Sequence, residues 1–322
     1  MDFNYICGTG LKVSRVCIGS MMFGQKIKDQ TEVNRIIQKA FAVGINFFDT
    51  ADQYADGLSE IMLGKAIGTN RENSVIASKV GFPCLDKKEF SLSRKSIFHC
   101  IDGSLKRLGT DYLDIYYLHQ PDYNTPLEES LEAMNDLVRC GKVLYIGMSN
   151  YAAWQIMDAL RICEKNSWAK PVVTENCYNM ITRGLEQELV PFIREKKIGL
   201  VNFNPLAGGL LTGKYHRSAP DEGTRFFKNP NYQRRYWRDD NFNAIEELNT
   251  LADSNGMSLI ELAYRWCLSQ KHVTSVLLGF ANEKQFNSNL KELEKEELPA
   301  DILAVCDEIW KSLSGGRVFY NR

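Results

Sequence analysis

Four ionisable side chains of four types stand at the carboxyl ends of apolar runs. Asp49 lies in NFFDTA, Tyr54 five residues further on, Lys79 in SVIASKV and His119 in LDIYYLHQ. An acid, a phenol, an ammonium and an imidazole around one centre can move a proton. Hydride reduction of a carbonyl makes an alkoxide that needs one. A phenol has the proton, but its ordinary pKa of about 10 makes it a weak donor at neutral pH. A neighbouring ammonium stabilises the phenolate and lowers that pKa. Lys79 would serve Tyr54 in this way, and Asp49 would keep the lysine charged and in place. His119, donating a hydrogen bond to the substrate oxygen, would orient the carbonyl and stabilise developing charge. Alone, each residue has a plainer reading: Asp49 as a turn or helix cap, Tyr54 as packing, Lys79 as a solvated strand end, His119 before Pro121 as a structural hydrogen-bonder. Their common placement favours the joint one.

Eight apolar runs must carry them: VCIGS from Val16, NFFDTA from Asn46, SVIASKV from Ser74, LDIYYLHQ from Leu113, VLYIGMSN from Val143, VVTENCY from Val172, GLVNFNPL from Gly199 and SVLLGF from Ser275. Helical periodicity fills the intervals. Val33, Ile36, Ile37, Ala40 and Phe41 follow the spacing of one helix face, as do Leu127, Leu131, Met134, Leu137 and Val138. Further helices fit Leu58 to Ile67, Ser93 to Leu108, Ala152 to Lys165, Leu185 to Lys197, Ser258 to Ser269 and Glu283 to Leu293. The pattern predicts an α/β fold, a single (β/α)8 TIM barrel over residues 1–322, whose strand ends share one mouth. The runs are continuously apolar, as a parallel sheet covered by helices requires. FNYICGTGLKVSR reads as an N-terminal hairpin closing the barrel bottom. A long polar and aromatic loop, Tyr215 to Asn243, follows strand seven and leads into an extra helix, Ala244 to Asp253. A last helix, Ile302 to Leu313, precedes the tail GGRVFYNR. An open doubly wound sheet would need a G-x-G-x-x-G turn after an early strand, whereas Gly8 and Gly10 precede the first strand.

Composition narrows the class. The 322 residues are 44% hydrophobic and 25% charged, with a net charge of -1. That balance gives no basic footprint for nucleic acid or a membrane surface, and no run approaches the roughly 20 apolar residues of a span. Nine scattered cysteines suit free thiols in a reducing cytoplasm, and four histidines show no metal-ligand spacing, so no metal is expected.

Asp49, Tyr54, Lys79 and His119, in this order at these strand ends, closely resemble the catalytic tetrad of the aldo-keto reductases. The likeness extends to GLKVSRVCIGSMMFG from Gly10, GINFFDTADQYADGLSE from Gly44, YIGMSN from Tyr145, NPLAGGLLTGKY from Asn204 and VLLGFANEKQFNSNL from Val276. Within the family the chain looks most like bacterial sugar-aldehyde reductases and the β-subunits of voltage-gated potassium channels. The resemblance implies NAD(P)H extended across the barrel mouth, with NADPH favoured by family habit and NADH open. Ser149 and Asn150 would bond the nicotinamide carboxamide and Phe203 would stack on its ring. Asn204, Leu206, Gly208 and Lys214 would line the pyrophosphate, and Gly279, Gln285 and Asn289 the adenosine half. Gly19, Ser20 and Met21 would lie near nicotinamide and substrate. Met22, Gln120, Asp122, Tyr123, Tyr236 and Trp237, with Tyr54 and His119, would surround a small carbonyl or sugar substrate, their polarity suiting a hydroxylated one.

Two positions depart from the family. Glu175 stands where a glutamine usually bonds the carboxamide. An ionised carboxylate accepts but cannot donate, so a modest preference for oxidised cofactor is expected. Ala281 stands where relatives often carry a side chain for the ribose 2′-phosphate; Arg225 could supply that contact as a bidentate donor. The leading function is therefore NAD(P)H-dependent interconversion of a carbonyl and an alcohol, in a chain that could form an oligomer. A cofactor-sensing regulatory subunit and a redox-neutral enzyme using transient hydride transfer are the alternatives.

Overall fold

The computed structural model describes residues 1–84, 88–218, 220–293 and 295–314; the tail from 315 lies outside them. Eight parallel strands close into a barrel: β3 (Val16–Gly19), β4 (Phe47–Asp49), β5 (Val75–Val80), β6 (Leu113–Leu118), β7 (Val143–Ser149), β8 (Pro171–Cys177), β9 (Gly199–Phe203) and β10 (Ser275–Leu278). β10 pairs back onto β3, Val276 opposite Val16. Two strands ahead of the barrel, β1 (Phe3–Tyr5) and β2 (Lys12–Ser14), form the expected antiparallel hairpin. It plugs the barrel, because Ile6 and Val13 are fully buried and pack with Cys17, Phe47, Tyr117 and Val201 in the lower interior.

The surrounding helices, numbered in chain order, are α1 (Gln30–Ala42), α2 (Leu58–Ile67), α3 (Arg94–Leu108), α4 (Leu127–Arg139), α5 (Ala153–Asn166), α6 (Leu189–Lys196), α7 (Pro230–Tyr236), α8 (Asp239–Ser254), α9 (Leu259–Ser269), α10 (Glu283–Leu293) and α11 (Ala300–Ser314). Side-chain caps start several of them. Asp29 accepts from the Thr31 amide, Ser93 from Ser96 and Ser258 from Glu261, each satisfying a helix N–H that has no intrahelical partner. Val33, Ile36, Ile37 and Ala40 are the buried face of α1.

Two stretches differ from expectation. The segment expected as one helix from Leu185 begins with a separate short turn, Gly184–Glu186, which Arg183 and Tyr178 fix by bonds to Glu186 of 2.8 and 2.5 Å. The helix proper starts at Leu189, so that Pro191 falls in the first turn, where its missing N–H costs nothing. The long loop after the seventh barrel strand is partly helical. Asn229 caps α7, with Pro230 at its start, and Asp239 and Asp240 in the first turn of α8 suit the helix dipole, extending the expected helix by five residues.

The helices crowd closely around the barrel. A Cβ at Gly64 in α2 would lie 2.2 Å from the Leu108 carbonyl oxygen at the end of α3. Because the neighbour is backbone and cannot rotate away, Gly64→Ala is expected to destabilise by about 1–3 kcal/mol. Urea unfolding would show this as a lower midpoint at an unchanged slope; an unchanged midpoint would contradict the packing described.

Candidate active site

The barrel brings the four residues to its carboxyl-terminal mouth. Asp49 ends β4, opposite Ala77 of β5, and Lys79 lies one pleat repeat further along β5. The chain leaves β4 with the Thr50 amide on the Ala77 carbonyl at 2.9 Å and the Asp52 amide on the Lys79 carbonyl at 3.3 Å. It then turns through Tyr54–Gly57, where Ala55 and Asp56 have φ of 50° and 52°. These left-handed residues, costly away from glycine, fold Tyr54 back beside the mouth. The fully buried Lys79 ammonium pairs with Asp49, donates to the Thr50 carbonyl at 3.0 Å and lies 5.4 Å from the centre of the Tyr54 ring. His119 follows β6, edge-on to Tyr54 at 6.2 Å and to Phe82 at 4.8 Å. Its Nδ1 is buried with no hydrogen-bond partner among the described residues.

Glu175, on β8 opposite Ser149 of β7, joins this cluster from the far wall, its Oε1 3.5 Å from the Lys79 ammonium. The sequence places it near the carboxamide but gives no sign that it reaches the lysine. Burial would lower the pKa of Lys79, yet Asp49 and Glu175 outweigh it and hold the ammonium charged. Burial raises the Tyr54 pKa; Lys79 lowers it, while Asp49 and Glu175 raise it again. The net direction is upward, the reverse of what Lys79 alone would do, because burial of the phenol outweighs the ammonium and the neighbouring acids add to it. Burial, then Lys79, pushes His119 well below its usual range, so at neutral pH it is an uncharged imidazole. Glu175 is driven well above the usual carboxylate range, first by burial and then by Asp49. This direction favours a carboxyl that keeps its proton over the ionised glutamate expected from the sequence.

The residues expected to hold the cofactor follow this cluster around the ends of β7, β8, β9 and β10. The Ser149 hydroxyl donates to the Glu175 carbonyl at 3.0 Å. The Asn150 side-chain amide donates to the His119 carbonyl and to Ser149 Oγ, both at 3.0 Å. Phe203 is half-buried at the end of β9. Beyond it Asn204, Ala207, Gly208 and Gly209 all have positive φ, from 50° to 102°, in a segment that also carries Leu206. A Cβ on Gly208 would meet the Tyr232 ring at 2.8 Å. Lys214 is exposed, its ammonium over Tyr215. Arg225 is half-buried and held by the Tyr232 hydroxyl at 3.3 Å and Met22 Sδ at 3.9 Å, tying the insertion across the mouth to the loop after β3. Past β10, Gly279 is exposed with open space around it. Asn289 donates to the Gly279 carbonyl at 3.3 Å, and Gln285 accepts from the Ala281 amide at 2.9 Å. Gly19 is packed against Leu277, with half-buried Met21 just beyond it. The Ser20 hydroxyl faces inward onto Ser59 at 2.8 Å.

Several expected substrate contacts have other partners. Asp122 accepts from the Leu92 and Asn124 amides and Thr125, which holds its own loop. Tyr236 is fully buried, its hydroxyl 3.1 Å from Cys177 Sγ. The ring contacts of Trp237 are with Tyr215, Phe226 and Phe242, an aromatic core inside the insertion. Gln120 and Tyr123, by contrast, line a groove of about 690 Å³ beside the mouth, together with Phe90, Asn124, Asn150 and Gln155.

Three features were not legible in the sequence. Tyr232 comes close enough to Tyr54 to affect its charge, and Phe82 packs on His119; both depend on loop paths that periodicity does not report. Asp52, Cys84 and Cys100, far apart in sequence, bring ligand-type atoms within 4.8 Å of one another.

With this geometry in place, comparison with known proteins defines the class. The model of the Aldo/keto reductase family matches residues 15–311, and the chain belongs to that family. It is an oxidoreductase of the kind that uses a nicotinamide cofactor, NAD(P)H, to reduce small carbonyl compounds. A probable voltage-gated potassium channel subunit beta of Arabidopsis thaliana is 36% identical over 91% of this chain and 92% of its own length. The uncharacterized oxidoreductase YrpG of Bacillus subtilis is 34% identical over 98% of each. Aflatoxin B1 aldehyde reductase member 2 of Rattus norvegicus is 32% identical, over 95% of this chain and 86% of its own length. Among the described residues no helix is long and apolar enough to cross a membrane.

Proposed function

We propose that the chain reduces hydroxylated aldehydes or ketones with NADPH, with Tyr54 as the proton donor. The observation that carries this reading is the fully buried Lys79 ammonium, paired with Asp49 and 5.4 Å from the Tyr54 ring, with His119 edge-on to the same phenol. A substrate oxygen between Tyr54 and His119 would meet a phenolic proton and a neutral imidazole donor together. The ammonium beneath would stabilise the phenolate once the proton has left.

The ends of β7 to β10 suit a nicotinamide dinucleotide by their donors and backbone conformation. Ser149, Asn150 and Glu175 offer amide-like chemistry to a carboxamide, and Phe203 offers a ring face. The left-handed run from Asn204 to Gly209 makes a backbone concavity of the kind that holds phosphate oxygens, with Lys214 nearby. Gly279, Ala281, Gln285 and Asn289 would border the adenosine. When bound, the cofactor supplies the hydride; this chain's residues orient the acceptor carbon, exclude water and deliver the proton.

Arg225 is the group proposed to read the 2′-phosphate. Among the described residues its guanidinium is held by a phenol and a thioether rather than by a carboxylate, which leaves its charge for a phosphate. Arg225→Met is expected to weaken NADPH binding by about 10–100-fold, the worth of a hydrogen bond to a charged group, while NADH binding changes by no more than about twofold. Equal losses for the two cofactors, measured by fluorescence titration, would remove Arg225 from this role.

The substrate class rests on the amide-rich groove of Gln120, Asn124, Asn150 and Gln155 with Phe90 and Tyr123, which offers hydrogen bonds to hydroxyls beside an aromatic face. The deciding experiment follows NADPH oxidation against a panel of hydroxylated and purely apolar aldehydes and ketones. Higher kcat/KM for the hydroxylated members is expected. A preference for apolar members would overturn the substrate class. Tight cofactor binding without turnover on any member would favour a regulatory subunit or a redox-neutral enzyme instead.

A further inference from the structure

We infer that Glu175 is a positioning residue that shares one proton with Asp49 beneath the nicotinamide, so that the site's preference between reduced and oxidised cofactor depends on pH. The inference rests on the oxidoreductase reading for its second half only.

Three ionisable groups meet in the closed barrel: Asp49 is 1% exposed, Lys79 0% and Glu175 4%. Lys79 pairs with Asp49 and lies 3.5 Å from Glu175 Oε1. Asp49 Oδ2 and Glu175 Oε2 are buried, and no donor among the described residues satisfies either. If both acids ionised, two negative charges would face one positive charge in a dry volume. Carboxylates sharing a site cannot both ionise easily, and one is forced to keep its proton.

Among the described residues the walls supply no second cation. Around Glu175 and Asp49 stand Cys17 of β3, Tyr54 after β4, Lys79 of β5 and Tyr117 of β6, and of these only Lys79 is positive. The Ser149 hydroxyl donates to the Glu175 backbone carbonyl, not to its carboxyl. The shared proton therefore has to satisfy the pair from within, and burial together with Asp49 keeps it on Glu175 well above the usual range.

Protonated, Glu175 offers one O–H donor and one carbonyl acceptor, the same pair of functions as a glutamine amide. This accounts for how an acid can occupy a place suited to binding a carboxamide. Deprotonated, it becomes an acceptor-only anion under the nicotinamide position. An anion there favours the cationic oxidised ring over the neutral reduced one. By linkage, oxidised cofactor must then help to expel the proton. The ratio of the NADP⁺ dissociation constant to that of NADPH should fall as pH rises.

The same proton affects folding stability. An unfolded glutamate loses its proton near about pH 4.3, whereas the folded one retains it to a higher pH. The unfolded state thus binds fewer protons in that window, and stability falls as pH rises through it. Glu175→Gln keeps the shape and the amide functions and removes this dependence. It should be more stable than the natural protein by an increment that grows above about pH 5.

Two measurements test the proposal with Glu175→Gln and the natural protein. Infrared spectroscopy of the cofactor-free proteins at neutral pH should show a buried carboxylic-acid C=O stretch that the variant lacks. Calorimetric titration with NADP⁺ and NADPH from about pH 6 to about pH 9 should show the ratio of dissociation constants changing by up to about tenfold per pH unit near the transition. In Glu175→Gln it should change by less than about twofold over the whole range. The 2′-phosphate titrates in both cofactors and cancels in the ratio. A missing acid band would overturn the shared proton. A ratio independent of pH in the natural protein, or equally dependent in the variant, would overturn the coupling. Failure of both proteins to bind either cofactor would sink the oxidoreductase reading instead, and the infrared result would still decide the proton.

Discussion

Tyr54→Phe is expected to lower kcat by about 10²–10⁴-fold, the usual contribution of a positioned general acid. NADPH affinity should stay within about twofold, because the phenyl ring keeps its contacts. Those contacts are the edge-on packing against His119 at 6.2 Å and the Lys79 ammonium 5.4 Å from the ring; the substitution removes the hydroxyl alone. Burial, with Asp49 and Glu175 adding to it, raises the Tyr54 pKa against the pull of Lys79, so the phenol stays protonated across neutral pH. It is a weaker acid than Lys79 alone would make it, but it is never short of a proton. The reduction rate should therefore show no loss from phenol ionisation below about pH 9. Equal turnover by Tyr54→Phe and the natural protein in a stopped-flow assay of NADPH oxidation would eliminate Tyr54 as the donor.

Lys79→Met should be more damaging still, because it removes the only cation among the described residues from a site with two acids. Breaking a buried ion pair by deleting one partner costs about 3–5 kcal/mol; here Asp49 loses its counter-charge and Glu175 loses the neighbouring ammonium. Each acid then resists ionisation further, so the loss grows as pH rises above the unfolded carboxyl range and shrinks toward acid pH. Activity should fall at least as far as in Tyr54→Phe. The double variant Asp49→Asn with Lys79→Met removes one stranded acid as well and should recover part of the stability, with no recovery of turnover. Urea unfolding at two pH values, beside the activity assay, checks each statement. A Lys79→Met protein as stable as the natural one would contradict the buried cluster.

The protonated state of Glu175 and the charge on Lys79 bear on how the site works as a unit. A glutamine would leave Asp49 and Lys79 as a simple pair. The glutamate adds an acid whose proton is set by the barrel's dryness, and through Lys79 it reaches Tyr54. Cofactor binding and proton donation are thereby linked in one cluster.

What the sequence determined by itself was the scaffold. Apolar runs and helical faces repeat at regular intervals, and each is a local consequence of side-chain periodicity and capping. The eight strands, the bottom hairpin and most helix limits followed from that, as did the positions of Asp49, Lys79 and His119 at strand ends. Periodicity was silent on the insertion after β9, where α7 forms around the Asn229 cap and Trp237 turns into an aromatic core, because those choices depend on which rings meet. It was equally silent on Glu175. Its place on β8 could be read, but its pairing with Asp49 and Lys79 across the barrel could not. Only closure of the sheet brings side chains of β5 and β8 within 3.5 Å of each other across the interior, and only burial in that closed interior favours one acid keeping its proton, since desolvation and charge proximity are properties of the folded volume and not of the chain.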